Sequence, residues 1–239
     1  MKKIVILLAP FFVITQLFGI ASFGLSVNQG LFNIDESSSD LLIDNPLGGD
    51  PLNVGMFTHH GFKNGYGLGG YVYIDIIPVV DIDFEGNIMG NIYNFSFDNQ
   101  LTEDIEIDNL EFGWIAASTY ITVHKKLFKV KIPILAKAKL TGGLGVNNHS
   151  SIPMVNQDML EAVMGGPENL ESGELNTDAL ITYLSENQIN STGVHAQIGL
   201  QIKLLFIDSF IYYRQIIAKD SVPGRGGFGS LNLRLGMAI

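Results

Sequence analysis

The chain of 239 residues contains no cysteine, eight prolines and a single tryptophan. Without cysteine it can form neither a disulfide nor a cysteine-linked lipid anchor, so packing and closed hydrogen bonding must stabilise its fold. Basic residues are also scarce, because 14 lysines and arginines stand against 24 aspartates and glutamates. This acidity argues against nucleic acid as a partner, since phosphate backbones attract basic surfaces.

Long apolar runs are confined to the N-terminus. Two lysines precede the apolar stretch Ile4–Ile20, and small residues then allow cleavage after Ala21. This pattern predicts a cleaved signal peptide over residues 1–21 and a mature domain over residues 22–239. A retained transmembrane helix is the alternative, and Pro10 weakens it. Beyond this segment no run approaches the ~20 apolar residues of a spanning helix, so any passage through a membrane must use strands.

The rest of the chain is rich in alternating apolar and polar residues. Ile82 and Phe84, for example, alternate with Asp81 and Asp83. Because successive strand residues point to opposite faces, this pattern predicts strands with one apolar and one polar face. Eight strands are predicted: Ser22–Phe32, Tyr66–Ile76, Val80–Ile92, Leu110–His124, Leu127–Leu140, Thr192–Leu204, Phe206–Ile217 and Gly229–Ile239.

Long and short connections alternate between these strands. Tight turns are predicted near Pro78, Lys125 and Phe206. An up-and-down outer-membrane barrel has this rhythm, with short periplasmic turns and long external loops. The long connections are Asn33–Gly65, Asp98–Asn109, Gly142–Ser191 and Ala218–Phe228.

The third long connection contains two predicted helices. Gln157–Met164 carries an apolar stripe and is followed by two glycines, and Thr177–Ser185 follows Asn176 as a candidate N-cap. The predicted fold is therefore all-β: an eight-stranded antiparallel up-and-down transmembrane barrel with two short helices in its third external loop.

Alternation alone does not say which face of the barrel points inward. A soluble lipocalin-like carrier would also have eight strands, with its apolar face inside. The absence of charge from the apolar faces of several strands favours the opposite orientation, with that face in lipid. Expected lipid contacts are Val80, Ile82, Phe84, Ile132, Ile134, Ile198, Leu200 and Leu233, and candidate interfacial aromatics are Tyr71, Tyr93, Trp114, Tyr120, Phe210 and Tyr213.

The polar faces carry both signs of charge, which could pair across a narrow lumen because unpaired buried charges are costly. An eight-stranded barrel is just wide enough for side chains to fill it, so a salt-bridge network is favoured over an open pore. The predicted lumen charge network comprises Asp75, Asp81, Asp83, Glu85, Lys129, Lys131, Lys137, Lys139, Lys203, Asp208, Arg214 and Arg234.

The last strand, Ser230–Ile239, alternates leucines with polar residues up to the final isoleucine. With the signal-like start and the eight-strand rhythm, it resembles the small outer-membrane barrels of Gram-negative bacteria, of the OmpA, OmpX and OmpW kind. This resemblance is architectural and covers nearly all of the mature chain. It implies location in the bacterial outer membrane, contact with its lipid, and recognition of the last strand by the barrel-assembly machinery.

Catalytic and metal-binding motifs are weak. His149-Ser150-Ser151 superficially suits an acyl-transfer enzyme, but it is predicted to lie in a turn. His59-His60 does not make a metal site, and the acidic loops lack the spacing of a calcium-binding loop. We therefore expect no catalytic residue, no metal and no cofactor. The predicted role is a non-enzymatic structural or surface-interaction protein, with an extracellular ligand bound through the loops; a narrow pore or transporter for small or hydrophobic solutes is the alternative.

Overall fold

The structure is a computed structural model that describes residues 20–43, 45–75, 80–99, 107–132, 136–164, 176–204 and 206–238. Nearly all of them form strands. The predicted signal peptide lies outside this part of the chain, except for Ile20 and Ala21, which begin the first strand. The elements are β1 (Ile20–Ile34), β2 (Ser37–Ile43), β3 (Leu52–His59), β4 (Phe62–Asp75), β5 (Asp81–Asn99), β6 (Ile107–Ile132), β7 (Ala136–Ser151), α1 (Gln157–Met164), α2 (Thr177–Glu186), β8 (Ile189–Leu204), β9 (Ile207–Val222) and β10 (Arg225–Ala238).

Eight strands close into a ring in the order β5, β4, β1, β10, β9, β8, β7 and β6, and β6 pairs again with β5. All the pairs in the ring are antiparallel. The first and last strands meet from Ser22, opposite Ala238, to Leu31, opposite Gly229. Ring closure lets the backbone groups of each strand bond within the wall. The predicted eight-stranded up-and-down barrel is confirmed.

The connections from β1 to β4, β5 to β6, β7 to β8 and β9 to β10 lie at one end of the ring, called here the loop end, and the other connections lie at the opposite end, called the turn end. Both α1 and α2 lie in the third long connection, as predicted. The Asn176 side chain accepts a hydrogen bond from the Ala179 amide and so caps α2. Among the described residues, no helix is long and apolar enough to cross a membrane.

The first long connection, predicted as a polar loop over Asn33–Gly65, is largely a hairpin. β2 and β3 continue β1 and β4 beyond the ring, and β3 pairs with the far end of β5, from Gly55 opposite Asn99 to His59 opposite Phe95. Gly48 and Gly49 lie at its tip with φ of 76° and 110°, backbone angles that favour glycine.

The prediction of Leu127–Leu140 as one strand is wrong. β6 runs through Lys125 without a turn, and Ile132 is the register partner of Ala136, so the chain reverses between those two residues. The residues around Lys125 include no glycine, proline, asparagine or aspartate to favour a turn, whereas Pro133, which has no amide proton, directly follows β6.

The predicted boundaries of two loops are wrong. β7 continues from Gly142 to Ser151, because its glycines allow close strand contact: a Cβ on Gly145 would lie 2.1 Å from the Ile121 carbonyl oxygen. Likewise only Pro223 and Gly224 separate β9 from β10, in place of the predicted loop Ala218–Phe228.

The apolar face of the barrel is the exposed one. On β8, for example, Ile198 is 51% exposed while its neighbour Gln197 is buried. This is the reverse of a lipocalin-like carrier, whose apolar face lines the interior. Of the predicted lipid contacts, Phe84, Ile198, Leu200 and Leu233 are exposed, Val80 and Ile82 are half-buried, and Ile134 and the side chain of Ile132 lie outside the described residues.

The expected aromatic girdle is mostly wrong. Only Tyr213 of the six candidates faces outward, at 38% exposure. The other rings lie on the inward face of their strands, where large side chains are needed to fill the interior. The buried ones are Tyr71, Tyr93, Trp114, Tyr120 and Phe210.

Candidate functional site

The barrel interior near the turn end contains a charge cluster. It is formed by buried or half-buried side chains on seven strands of the ring, which meet across the lumen although they are far apart in sequence. Its carboxylates are Asp75, Asp81, Asp83, Glu85 and Asp208, and its cations are Lys126, Lys139, Lys203, Arg214 and Arg234. The two signs balance in this set, so the cluster is close to neutral.

Glu85 is the hub of this cluster. Its Oε2 accepts hydrogen bonds from Nη2 of Arg214 at 2.6 Å and from Nη2 of Arg234, and also from the Tyr212 hydroxyl at 2.6 Å. Its Oε1 accepts from Asn87 at 2.6 Å. Charge-assisted bonds of this kind offset the cost of removing three charged groups from water.

The neighbouring carboxylates are paired in the same way. Arg234 Nη1 lies 2.7 Å from Asp83 Oδ2, which also lies 3.3 Å from His124 Nε2. Lys139 Nζ lies 3.1 Å from Asp81, and Lys203 Nζ lies 3.5 Å from Asp208. Each of these carboxylates is therefore held in place by a cation from another strand.

Not all of the predicted network residues enter this cluster. Lys129 and Lys137 share the inner face of their strands with Lys139 but are exposed at the rim of the turn end. The reason is the true position of the β6–β7 turn, which puts both lysines close to the strand ends. The side chain of Lys131 lies outside the described residues.

Sequence reasoning missed Lys126 and His124. Lys126 Nζ lies 2.9 Å from Asp75 and 3.1 Å from Asp81. Lys126 was missed because the turn was wrongly predicted at Lys125. In the structure β6 continues past Lys125, and Lys126 follows Thr122 and His124 on the inward face. A turn assignment guided by Pro133 would have found it.

The middle of the interior is a layer of neutral polar side chains. His149 Nδ1 lies 2.8 Å from the Ser118 hydroxyl, and His195 Nε2 lies 2.9 Å from the Thr122 hydroxyl. Asn147 joins the two imidazoles, at 3.1 Å from His149 and 3.4 Å from His195. Donors and acceptors match along this series of hydrogen bonds if each imidazole carries its proton on Nε2.

The strand places His149 and Ser151 on its inward face, where both are buried, and Ser150 on the opposite face. The prediction that His149-Ser150-Ser151 forms a turn is wrong, because these residues end β7. His149 therefore points into the interior, while the Ser150 hydroxyl is on the opposite face and donates to the Gln188 side chain at 3.2 Å. His149 and Ser118 are both buried, so their hydrogen bond lies within the packed interior of the barrel.

The loop end of the interior is closed by an apolar plug, defined here as Val155, Met159 and Val163 with the aromatic rings beneath them. Those rings are Phe62, Tyr93, Trp114 and Phe228, together with the half-buried Phe32. The Val155 amide donates to the Tyr93 hydroxyl oxygen at 2.8 Å, which fixes the start of α1 over the barrel. The plug, the polar layer and the charge cluster follow one another along the lumen from the loop end to the turn end.

A metal site is not evident in this arrangement. Among the residues that the structure describes, no group of three or more histidine, cysteine, aspartate or glutamate side chains is placed to hold a metal ion. The charged side chains of the interior instead form ion pairs with one another.

The chain matches no protein-family model and no curated protein sequence. Among solved structures it is similar to Ail, the attachment invasion locus protein of Yersinia pestis, in complex with a heparin analogue: 12% identity, TM-score 0.45, covering 93% of this chain and 99% of Ail. It is similar to the outer membrane protein OprG of Pseudomonas aeruginosa at 11% identity and TM-score 0.45, covering 93% and 96% of the two chains. It is also similar to the outer membrane protease OmpT of Escherichia coli, at 8% identity and TM-score 0.32, covering 92% and 94%.

Proposed function

We propose that this chain is an integral protein of a bacterial outer membrane that acts without catalysis, through the structure it presents at the loop end. A signal peptide over residues 1–21 would export it, and the barrel-assembly machinery would recognise β10. The barrel then serves as an anchor in lipid, and the hairpin and helices of the loop end serve as the interaction surface.

One observation carries this proposal: exposed apolar side chains surround the ring, while the charged side chains of the cluster point inward. Leu25, Leu144, Ile211 and Leu235 lie on four different strands and are all at least 58% exposed. A water-soluble protein rarely exposes an apolar surface that extends around the whole molecule. In a bilayer the same surface is favourable, and the closed ring satisfies the backbone groups that hydrocarbon cannot.

The contents of the interior favour an anchor over a conduit. The charge cluster pairs its carboxylates with cations, and the plug covers the opposite end. A solute passing through would have to separate buried ion pairs and displace α1. We therefore favour a closed barrel over the narrow pore that the sequence left open as an alternative.

Planar-bilayer recording tests this choice. We expect the folded protein, inserted from detergent, to produce no sustained conductance above that of the bare bilayer. A variant lacking Gln157–Met164 controls for the plug, because the charge cluster alone should still block the lumen. Stable conductance steps from the unaltered protein would contradict the closed barrel and support a pore.

A further inference from the structure

Among the described strands, β2 lies at an edge of the sheet at the loop end. Among the described strands it pairs with β3 alone, from Ser37 opposite His59 to Ile43 opposite Leu52. The backbone amides and carbonyls of successive strand residues point to opposite sides of the strand. Every second residue of β2 therefore directs its amide and carbonyl away from β3. Among the described residues, the Gln157 side chain donates a hydrogen bond to the Leu42 carbonyl of β2, at 3.3 Å.

Proteins usually protect such edges with lysine or proline, but β2 contains neither. Its first four residues, Ser37 to Asp40, are all exposed. The opposite edge of the same sheet, at the start of β6, is less suitable for pairing. Asn109 interrupts it with a φ of 58°, a left-handed backbone conformation that breaks the regular ladder.

The loop end is also strongly acidic. Its described basic residues are Lys63, Lys219 and Arg225, and Arg225 lies 3.6 Å from Asp35. Charge of one sign over a whole face attracts partners of the opposite sign and speeds their association. The described acidic residues at this end are Asp35, Glu36, Asp40, Asp50, Asp98, Asp108, Glu111, Asp158, Glu161, Asp178, Glu186 and Asp220.

We propose that β2 docks an extended, lysine- or arginine-rich segment of another polypeptide, which adds to the sheet as a further antiparallel strand. The backbone of β2 would supply the hydrogen bonds, and the surrounding carboxylates would select the basic side chains. A second copy of this chain is a poor occupant, because its loop end is also acidic and would be repelled. This inference rests on the proposed function, since it requires the loop end to face water outside the membrane.

The test uses the full-length protein in lipid nanodiscs and two labelled probe peptides of equal charge. One is the strand-forming Lys-Val-Lys-Thr-Lys-Val-Lys, and the other replaces its valines and threonine with proline, which removes backbone donors. Asp40→Lys reverses a charge on β2 itself. Glu186→Lys makes the same charge change at the exposed end of α2 and is the matched control.

Fluorescence anisotropy should detect binding of the strand-forming peptide and much weaker binding of the proline peptide. Asp40→Lys should weaken binding about tenfold, and Glu186→Lys by about twofold or less. Equal binding of the two peptides, equal effects of the two variants, or no binding at all would overturn the proposal. Assembly into nanodiscs is verified separately by heat-dependent gel mobility, so a failure of docking is distinguishable from a failure of the membrane barrel.

Discussion

Replacing Glu85 by glutamine should strongly destabilise the barrel. The change keeps the shape of the side chain but removes the charge that faces Arg214 and Arg234, both of which are 1% exposed or less. Removing one member of a buried ion pair typically costs about 3–5 kcal/mol, because the partner charge stays buried without compensation. Arg214 loses the carboxylate that it pairs with, whereas Arg234 still pairs with Asp83, so we expect a loss of free energy of unfolding within this range.

Urea unfolding in lipid vesicles measures this loss. Trp114 is the single tryptophan and is 1% exposed, so its fluorescence reports directly on the interior. Glu111→Gln is the matched control, since Glu111 is exposed on β6, and it should change the free energy of unfolding by less than about 0.5 kcal/mol. A second variant, Glu85→Gln with Arg214→Gln, restores the charge balance and should be less destabilised than the sum of its two single changes. A loss below about 1 kcal/mol for Glu85→Gln alone would refute the reasoning, because it would mean that water already screens the cluster.

Two further pairs of variants test the wall. Ile198→Arg puts a charge on the proposed lipid face and should cost up to about 2–4 kcal/mol of unfolding free energy in bilayers. Ile181→Arg on the exposed side of α2 is the control and should cost less than about 0.5 kcal/mol. Equal costs of the two variants in vesicle unfolding would argue against lipid contact. Gly199→Ala should destabilise by about 1–3 kcal/mol, because its Cβ would lie 2.3 Å from that of Tyr212. Gly86→Ala, where a Cβ meets nothing within 4 Å, should leave the urea midpoint unchanged.

Much of the fold is readable from the sequence, because a strand with one face in a uniform environment alternates with period two. The alternation around Phe84 and around Ile198 placed both strands correctly. The helix Gln157–Met164 was equally clear, since its apolar stripe ends at two glycines. These features depend on neighbouring residues alone.

The turn between β6 and β7 was misplaced because the local signals conflict. β7 contains Gly142, Gly143 and Gly145, which resemble a loop in composition although they serve close packing between strands. Because the turn was misplaced, Lys126 was missed, and Lys129 and Lys137 were predicted inside the lumen although they lie at its rim. Residues with no side chain give little information about which way a strand faces.

The pairing inside the barrel could not be read from sequence at all. Glu85 and Arg214 are 129 residues apart, and their contact depends on the register of every strand between them. Alternation predicts that both side chains face inward, but it does not fix their height in the lumen. The aromatic girdle is wrong for a different reason, since an aromatic ring suits a membrane interface and a packed interior equally well.

The most direct test of the central claim, a closed barrel held in the outer membrane, is gel mobility of the protein extracted from outer-membrane fractions, boiled against unboiled. A closed membrane barrel should resist SDS until it is heated, so we predict two distinct mobilities for the same chain. A single mobility, with the protein in the soluble periplasmic fraction, would contradict the account.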